Sequence, residues 1–364
     1  MSRAFDRKII LEDGDVCYGY GFGSDAETVC EVVFNTSMTG YPEILSDPSY
    51  TDQAVVMTYP LIGNYGMQAE DYESDGLKPA ALIVREYCEA PSGLRCERPL
   101  DQVLAEAGVA GVQGVDTRRL TRSIRDEGSR RALITSADTP LEEGLIRLRE
   151  TELPHDAVAR AGCKAPYTVE CAHAKYHIAA IDCGMKRNIL RSFAQRGIET
   201  TVLPWNTPAE EILALAPDGL FLSNGPGDPT DVPETIRTVK TLIGRLPVFG
   251  ICLGHQVISL ACGGETYKLK FGHRGGNHPV RELATGKIAM TSQNHSYAVR
   301  GESLAETCLS VTHVNVLDGT VEGAASEAAR VFSVQFHPES APGPQDSLDL
   351  FERFIHLMEA CRHA

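Results

Sequence analysis

At 364 residues the chain exceeds one ordinary domain. Its 43% hydrophobic and 23% charged residues are the mix of a packed globular protein, which excludes a disordered or fibrous one. A formal charge of −15 excludes nucleic acid or an anionic membrane surface as the main partner, because such binding is driven by clustered Lys and Arg.

The first residues, Met1 to Lys8, contain no apolar core of signal-peptide length. Nowhere does the chain hold a run of apolar residues long enough to span a bilayer, so a cytoplasmic location is expected. Runs rich in β-branched residues at Cys30 to Asn35, Gln53 to Thr58 and Ala80 to Val84 predict short strands, and with them a β-rich mixed domain over residues 1–150. Gly21-Phe22-Gly23-Ser24-Asp25-Ala26 loosely matches a dinucleotide fingerprint, but no helix follows it, and a turn is expected there. A helix is predicted over Leu141 to Glu150, and residues 151–174, with Pro154 and Pro166, are expected to form a linker.

Residues 175–364 read as a second domain of alternating strand and helix. His177 to Ile181, Thr200 to Leu203, Gly219 to Leu222 and Val248 to Ile251 predict strands; Lys186 to Arg196, Glu234 to Ile243 and His255 to Ala261 predict helices between and after them. That alternation implies a mostly parallel sheet flanked by helices, an α/β architecture whose ligands sit at the carboxyl ends of the strands.

At one such end stands Gly250-Ile251-Cys252-Leu253-Gly254, a nucleophile elbow with cysteine as the central residue. Glycines two positions either side permit the sharp strand-to-helix turn, and the amino end of the next helix favours the thiolate over a thiol of ordinary pKa, about 8.5. The other cysteines, of eleven in all, are scattered and read as reduced, buried small hydrophobes. A later strand ends in His337-Pro338-Glu339, where alternation puts the imidazole and the carboxylate on one side. Glu339 can then orient the His337 ring, and His337 can take and return the Cys252 proton, which is the nucleophile–base–orienter logic of a triad. Ser223 to Pro229 contains Gly225-Pro226-Gly227, where backbone N–H groups can approach a developing oxyanion. Cys163, Cys171, His173 and His177 gather metal-ligand types near the linker, but their spacing is too wide for a zinc knuckle, and no metal site is expected. No Walker-type phosphate loop is present, so no ATP use by this chain is expected.

The blocks Ser223 to Pro229, Gly250 to Gln256 and Phe336 to Glu339 together resemble the class I glutamine amidotransferase family. Phe34 to Tyr50, Thr58 to Gly66, Gly114 to Thr121, Asp182 to Ile189 and Lys270 to Pro279 narrow the resemblance to the carbamoyl-phosphate synthetase small-subunit family over nearly the whole chain. The resemblance implies that Cys252 is the nucleophile, His337 the base and acid, and Glu339 the orienter, with a glutamyl thioester between glutamine and glutamate. It also implies that L-glutamine is held by Ser49, Gly225, Gly227, Leu253, Gln256, Asn294, Ser296 and Tyr297, with the N–H groups of Gly225 and Leu253 forming the oxyanion hole. Where the family has Gly-Phe after Asn-His, this chain has Ser296-Tyr297. The implied partner is a separate large subunit, which carries the ATP and its metal ions and receives ammonia through an internal tunnel; no cofactor is expected in this chain, and the first domain is expected to dock. The rival readings are the amidotransferase subunit of another biosynthetic enzyme, a non-catalytic interaction subunit, and a cysteine peptidase built on the same elbow.

Overall fold

The computed structural model describes residues 4–362, which divide between Pro154 and His155 into two compact units. In the first, strands Arg7–Leu11, Val16–Gly23, Ala110–Gln113, Ala81–Ile83, Gln53–Met57, Thr28–Asn35 and Arg130–Ser136 close into a barrel, in that order. Closure leaves no open edge in this sheet, which removes the template for stray strand pairing. Ile9, Ile10, Val33, Val55, Leu82 and Leu133 are wholly buried in it. The three strands expected in this region form, each within two residues of the expected ends.

The turn expected at Gly21 to Ala26 is a strand as far as Gly23, paired Gly21 to Val112 and Gly23 to Ala110. The small residues are there for packing: a Cβ at Gly23 would lie 2.7 Å from Leu104 Cβ. The helix Leu141–Glu150 forms as read.

The second unit carries a ten-stranded sheet among the described residues, in the order Tyr167–Val169, Ile198–Pro204, Tyr176–Asp182, Gly219–Leu222, Val248–Ile251, Val331–Val334, Val321–Ser326, Ser310–Asn315, Thr266–Glu282, Ile288–Val299. From Ile198–Pro204 to Val331–Val334 neighbouring strands are parallel; beyond them the pairing is antiparallel. Alternation along each central strand feeds two cores. Leu220, Leu222 and Val248 pack with Val239, Leu242 and Ile258 of the helices Pro233–Leu242 and Leu253–Ala261. Phe221 and Phe249 point to the other face, with Phe193 of the helix Arg187–Ala194 and Phe351 and Phe354 of the helix Asp349–Arg362. With both faces covered, the reactive groups are left to the strand ends.

The segment read as a linker holds the short helix Ala157–Ala161 and the strand Tyr167–Val169, which pairs with Ile198–Pro204 at the sheet edge. Among the described residues no helix is long and apolar enough to cross a membrane.

Candidate active site

The strands Val248–Ile251 and Val331–Val334 run parallel with Ile251 opposite Val334. The segments that leave them, Cys252 on one and Gln335 to Glu339 on the other, therefore emerge at the same edge of the sheet. Cys252 takes φ 55° and ψ −105°, a left-handed conformation that a side chain rarely adopts. Its N–H donates to the Val334 carbonyl at 2.9 Å, and the helix Leu253–Ala261 starts at the next residue.

The flanking glycines have measurable reasons. A Cβ on Gly254 would sit 2.3 Å from the Leu222 carbonyl oxygen, and one on Gly250 would sit 2.8 Å from the Gly254 backbone. Strand, elbow and helix are pressed too closely for any larger residue. Backbone strain of this kind costs on the order of 1–3 kcal/mol and is held in place by the packing around it.

His337 is fixed by its N–H, which donates to Ser292 O at 2.8 Å, and by Nδ1, 2.7 Å from Glu339 Oε1. Its Nε2 has no hydrogen-bond partner of good geometry among the described residues. Cys252 nevertheless lies close enough to act on the ring as a hydrogen-bonding neighbour, and its Sγ is 3.7 Å from the Asn294 carbonyl. Cys252, His337 and Glu339 are all buried.

Burial alone would discharge the His337 ring. The Glu339 carboxylate overrides it and raises the imidazole to about 10. For Glu339, burial is overridden by the Lys186 ammonium and by His337, which hold the carboxyl down at about 2.

Lys186 is the member of the site that sequence reasoning missed. Its Nζ lies 2.9 Å from Glu339 Oε1, with both side chains almost wholly buried, and it also donates to the Ser340 carbonyl. The loop that presents it is pinned: Asp182 Oδ1 accepts from the N–H groups of Gly184 and Met185, and Asn224 Oδ1 accepts from the N–H of Lys186. Asn188 adds a hydrogen bond to the Glu339 carbonyl. In the sequence, a lysine at the start of a helix reads as a solvated charge, and only the fold places a carboxylate beside it.

Of the residues expected to hold glutamine, those in the second unit surround this edge. Gly225 packs on Leu253 and on the Cys183 carbonyl, which a Cβ would approach to 2.2 Å; Gly227 has φ +86°. Leu253 opens its helix, where first-turn N–H groups have no intrahelical acceptor. Gln256 Nε2 donates to Tyr297 O at 2.8 Å and to Gln335 Oε1 at 2.9 Å, tying the helix to the strand Ile288–Val299 that carries Asn294, Ser296 and Tyr297. The Ser296 hydroxyl accepts from Arg274 Nη2 at 2.5 Å, so this departure from the family pattern gives the buried Arg274 a partner. Ser49 lies in the first unit, in the turn Pro48–Tyr50, where Asp47 Oδ1 accepts from its N–H.

The four metal-ligand types near residues 163–177 do not converge: Cys171 Sγ faces the Ala194 carbonyl, His177 Nε2 bonds Thr201, and the Cys163 N–H bonds Asp182. His273, His295 and Glu322 come closer, with ligand atoms within 4.8 Å of one another. His273 lies between Asp318 at 2.8 Å and Glu322 at 3.6 Å, and these carboxylates overcome burial to raise it to about 9. Protonated, His273 is a cation placed between the two carboxylates.

Residues 179–357 match the family model described as glutamine amidotransferase class-I, and the second unit, with its elbow cysteine, belongs to that class. Residues 9–134 match a second model, the CPSase domain of the carbamoyl-phosphate synthase small chain. The chain is 51% identical over 98% of its length to the carbamoyl phosphate synthase pyrimidine-specific small chain of Halalkalibacterium halodurans, covering 98% of that protein. It is 50% identical over 97% of its length to the protein of the same name from Bacillus subtilis, covering 96% of it. A carbamoyl phosphate synthase small chain of Fusobacterium nucleatum is 49% identical over 96% of this chain and 98% of its own. The chain belongs to the carbamoyl-phosphate synthase small-chain family.

Proposed function

We propose that the chain hydrolyses L-glutamine to glutamate and ammonia, and that the ammonia passes to a separate large subunit that makes carbamoyl phosphate from bicarbonate and ATP. The observation that carries the reading is the elbow itself: a strained Cys252 at a helix start, beside a His337 ring whose Nδ1 is held by Glu339 and whose Nε2 is otherwise uncommitted.

In this reaction the Cys252 sulfur, as thiolate, attacks the side-chain amide carbon of glutamine. The oxyanion forms against the N–H groups of Gly225 and Leu253. His337, protonated and steadied by Glu339, gives its proton to the departing nitrogen, and ammonia leaves a glutamyl thioester on Cys252. His337 then takes a proton from water, whose attack on the thioester releases glutamate and restores the sulfur. Gly227, Gln256, Asn294, Ser296 and Tyr297 hold the glutamine.

Ammonia set free in neutral water becomes ammonium and ceases to be a nucleophile, which is the physical reason for passing it onward through a tunnel to the subunit that binds ATP and its metal ions. The match of residues 9–134 to a model specific for the small chain supports a docking role for the first unit. Two of the relatives are named pyrimidine-specific, which supports pyrimidine biosynthesis as the destination. A cytoplasmic location is consistent with these substrates.

The test is to combine the chain with its large subunit and assay carbamoyl phosphate from bicarbonate and ATP with either nitrogen donor. Cys252→Ser is expected to abolish glutamine-dependent synthesis and leave ammonia-dependent synthesis intact. Glutamine use by that variant at the wild-type rate would refute the assignment.

A further inference from the structure

Cys262 closes the helix that starts at Leu253, and Cys308 follows the short turn Gly301–Glu306. Their sulfurs are 3.7 Å apart, in van der Waals contact. Cys308 is exposed and Cys262 is partly buried, so a small reagent reaches one sulfur directly and the other lies behind it.

The backbone on both sides is held. The Arg300 N–H donates to Glu265 O and the Glu265 N–H to Ser303 Oγ, each at 2.8 Å. Leu304 is buried against Gly264, where a Cβ would lie 2.9 Å from Leu304 Cδ2. The frame that carries the two cysteines is therefore held on both sides, with the sulfurs 3.7 Å apart against a disulfide bond length of about 2.05 Å. Burial and the neighbouring Cys308 push the Cys262 thiol up to about 12, so the exposed sulfur is the one placed to react first.

We propose that Cys262 and Cys308 form a reversible intrachain disulfide by exchange with a low-molecular-weight disulfide of the glutathione type. The Cys308 thiolate attacks one sulfur of the reagent and expels one thiolate, leaving a mixed disulfide on Cys308. Cys262 gives up its proton and attacks the Cys308 sulfur, and the second thiolate leaves. The reagent is reduced to two thiols, the cysteine pair is oxidised by two electrons, and the two thiol protons end on the released thiols. The bond joins the far end of the helix Leu253–Ala261, which follows Cys252, to the segment that follows the strand Ile288–Val299. It is independent of the glutaminase reading, since neither sulfur belongs to that site.

The full-length chain is to be equilibrated with reduced and oxidised glutathione in a series of ratios, quenched in acid, capped by alkylation and digested without reductant. A linked peptide joining Cys262 to Cys308 is expected, lost on reduction, and replaced in Cys262→Ser by a glutathione adduct that stays on Cys308. The unfolding temperature followed by Trp205 fluorescence is expected to rise on oxidation of the wild type and to stay unchanged in Cys308→Ser. The proposal is overturned if wild-type Cys308 stops at the glutathione adduct at every ratio, or if oxidation joins Cys308 only to a second molecule.

Discussion

Lys186 and Glu339 pair at 2.9 Å with side-chain exposures of 3% and 0%, and the carboxylate serves His337 at the same time. One oxygen, Oε1, accepts from both cations, so the lysine sets where the carboxylate sits and hence where the imidazole points. Removing one member of a buried ion pair typically costs about 3–5 kcal/mol, because the other charge is left desolvated. Here the low end applies, since His337 still faces Glu339. Lys186→Met is accordingly expected to lower the unfolding free energy by about 3 kcal/mol. It is also expected to cut the glutaminase kcat by about 10- to 100-fold through misplacement of the ring, with the KM for glutamine little changed. Denaturant melts and steady-state kinetics on the same preparation check both; an unaltered kcat would show that Glu339 holds its place without the lysine.

The elbow depends on three elements meeting at glycine. Gly254→Ala would put a methyl 2.3 Å from the Leu222 carbonyl oxygen and 2.8 Å from Leu222 Cβ, both of which belong to a central strand that cannot give way. The helix must move instead, carrying Leu253 and Gln256 with it. The expected cost is roughly 1–3 kcal/mol of stability from overpacking. Glutaminase activity should fall by about 100-fold from displaced geometry. Gly286→Ala is the control: φ is +73° and nothing lies within 4 Å, so it should cost about 1–2 kcal/mol in backbone strain and no activity. Equal activity in the two variants would remove close packing as the reason for the glycine. The elbow was legible in the sequence because its glycines stand at fixed offsets from the cysteine, and the strands and helices from Tyr176 to Ala261, the short helix Ala209–Ala214 excepted, were legible because apolar period switches cleanly there. The paired strands Thr266–Glu282 and Ile288–Val299 were not. Their buried positions include His273, Arg274, Asn294 and His295, polar residues that carry no apolar alternation. The edge strand Tyr167–Val169 was hidden in the same way, being short, largely exposed and flanked by Pro166. Barrel closure in the first unit depends on pairings such as Arg7–Leu11 with Arg130–Ser136, which no local pattern announces.

Across the second unit, buried histidines of opposite character set how stability follows pH. Burial, aided by His313, pushes His255 down to about 3. Burial, aided by the charge on His273, pushes His278 down to about 4 and His295 well below its ordinary value. Below pH of about 6.5 the unfolded chain takes protons on these residues that the native chain refuses, so stability falls with acid by up to about 1.4 kcal/mol per pH unit for each. His273 and His337 act in the other direction. Burial opposes their charge, but their carboxylate partners raise them to about 9 and about 10. The stabilisation they give is complete below about pH 6.5 and is lost as pH climbs toward the raised values. Glu322, raised by burial, offsets part of the acid loss, whereas Glu339, held at about 2, adds to it once pH falls below about 4.5. The second unit should therefore be most stable near neutrality and weaken on both sides. Trp205, the one tryptophan of the chain, packs on this unit's core, so its fluorescence reports the unit directly during denaturant unfolding. His255→Asn removes one of the refused protons and should flatten the acid limb by about 1.4 kcal/mol per pH unit while leaving the alkaline limb alone. A stability that rises steadily from acid to alkali would mean that His273 and His337 are not held protonated in the fold.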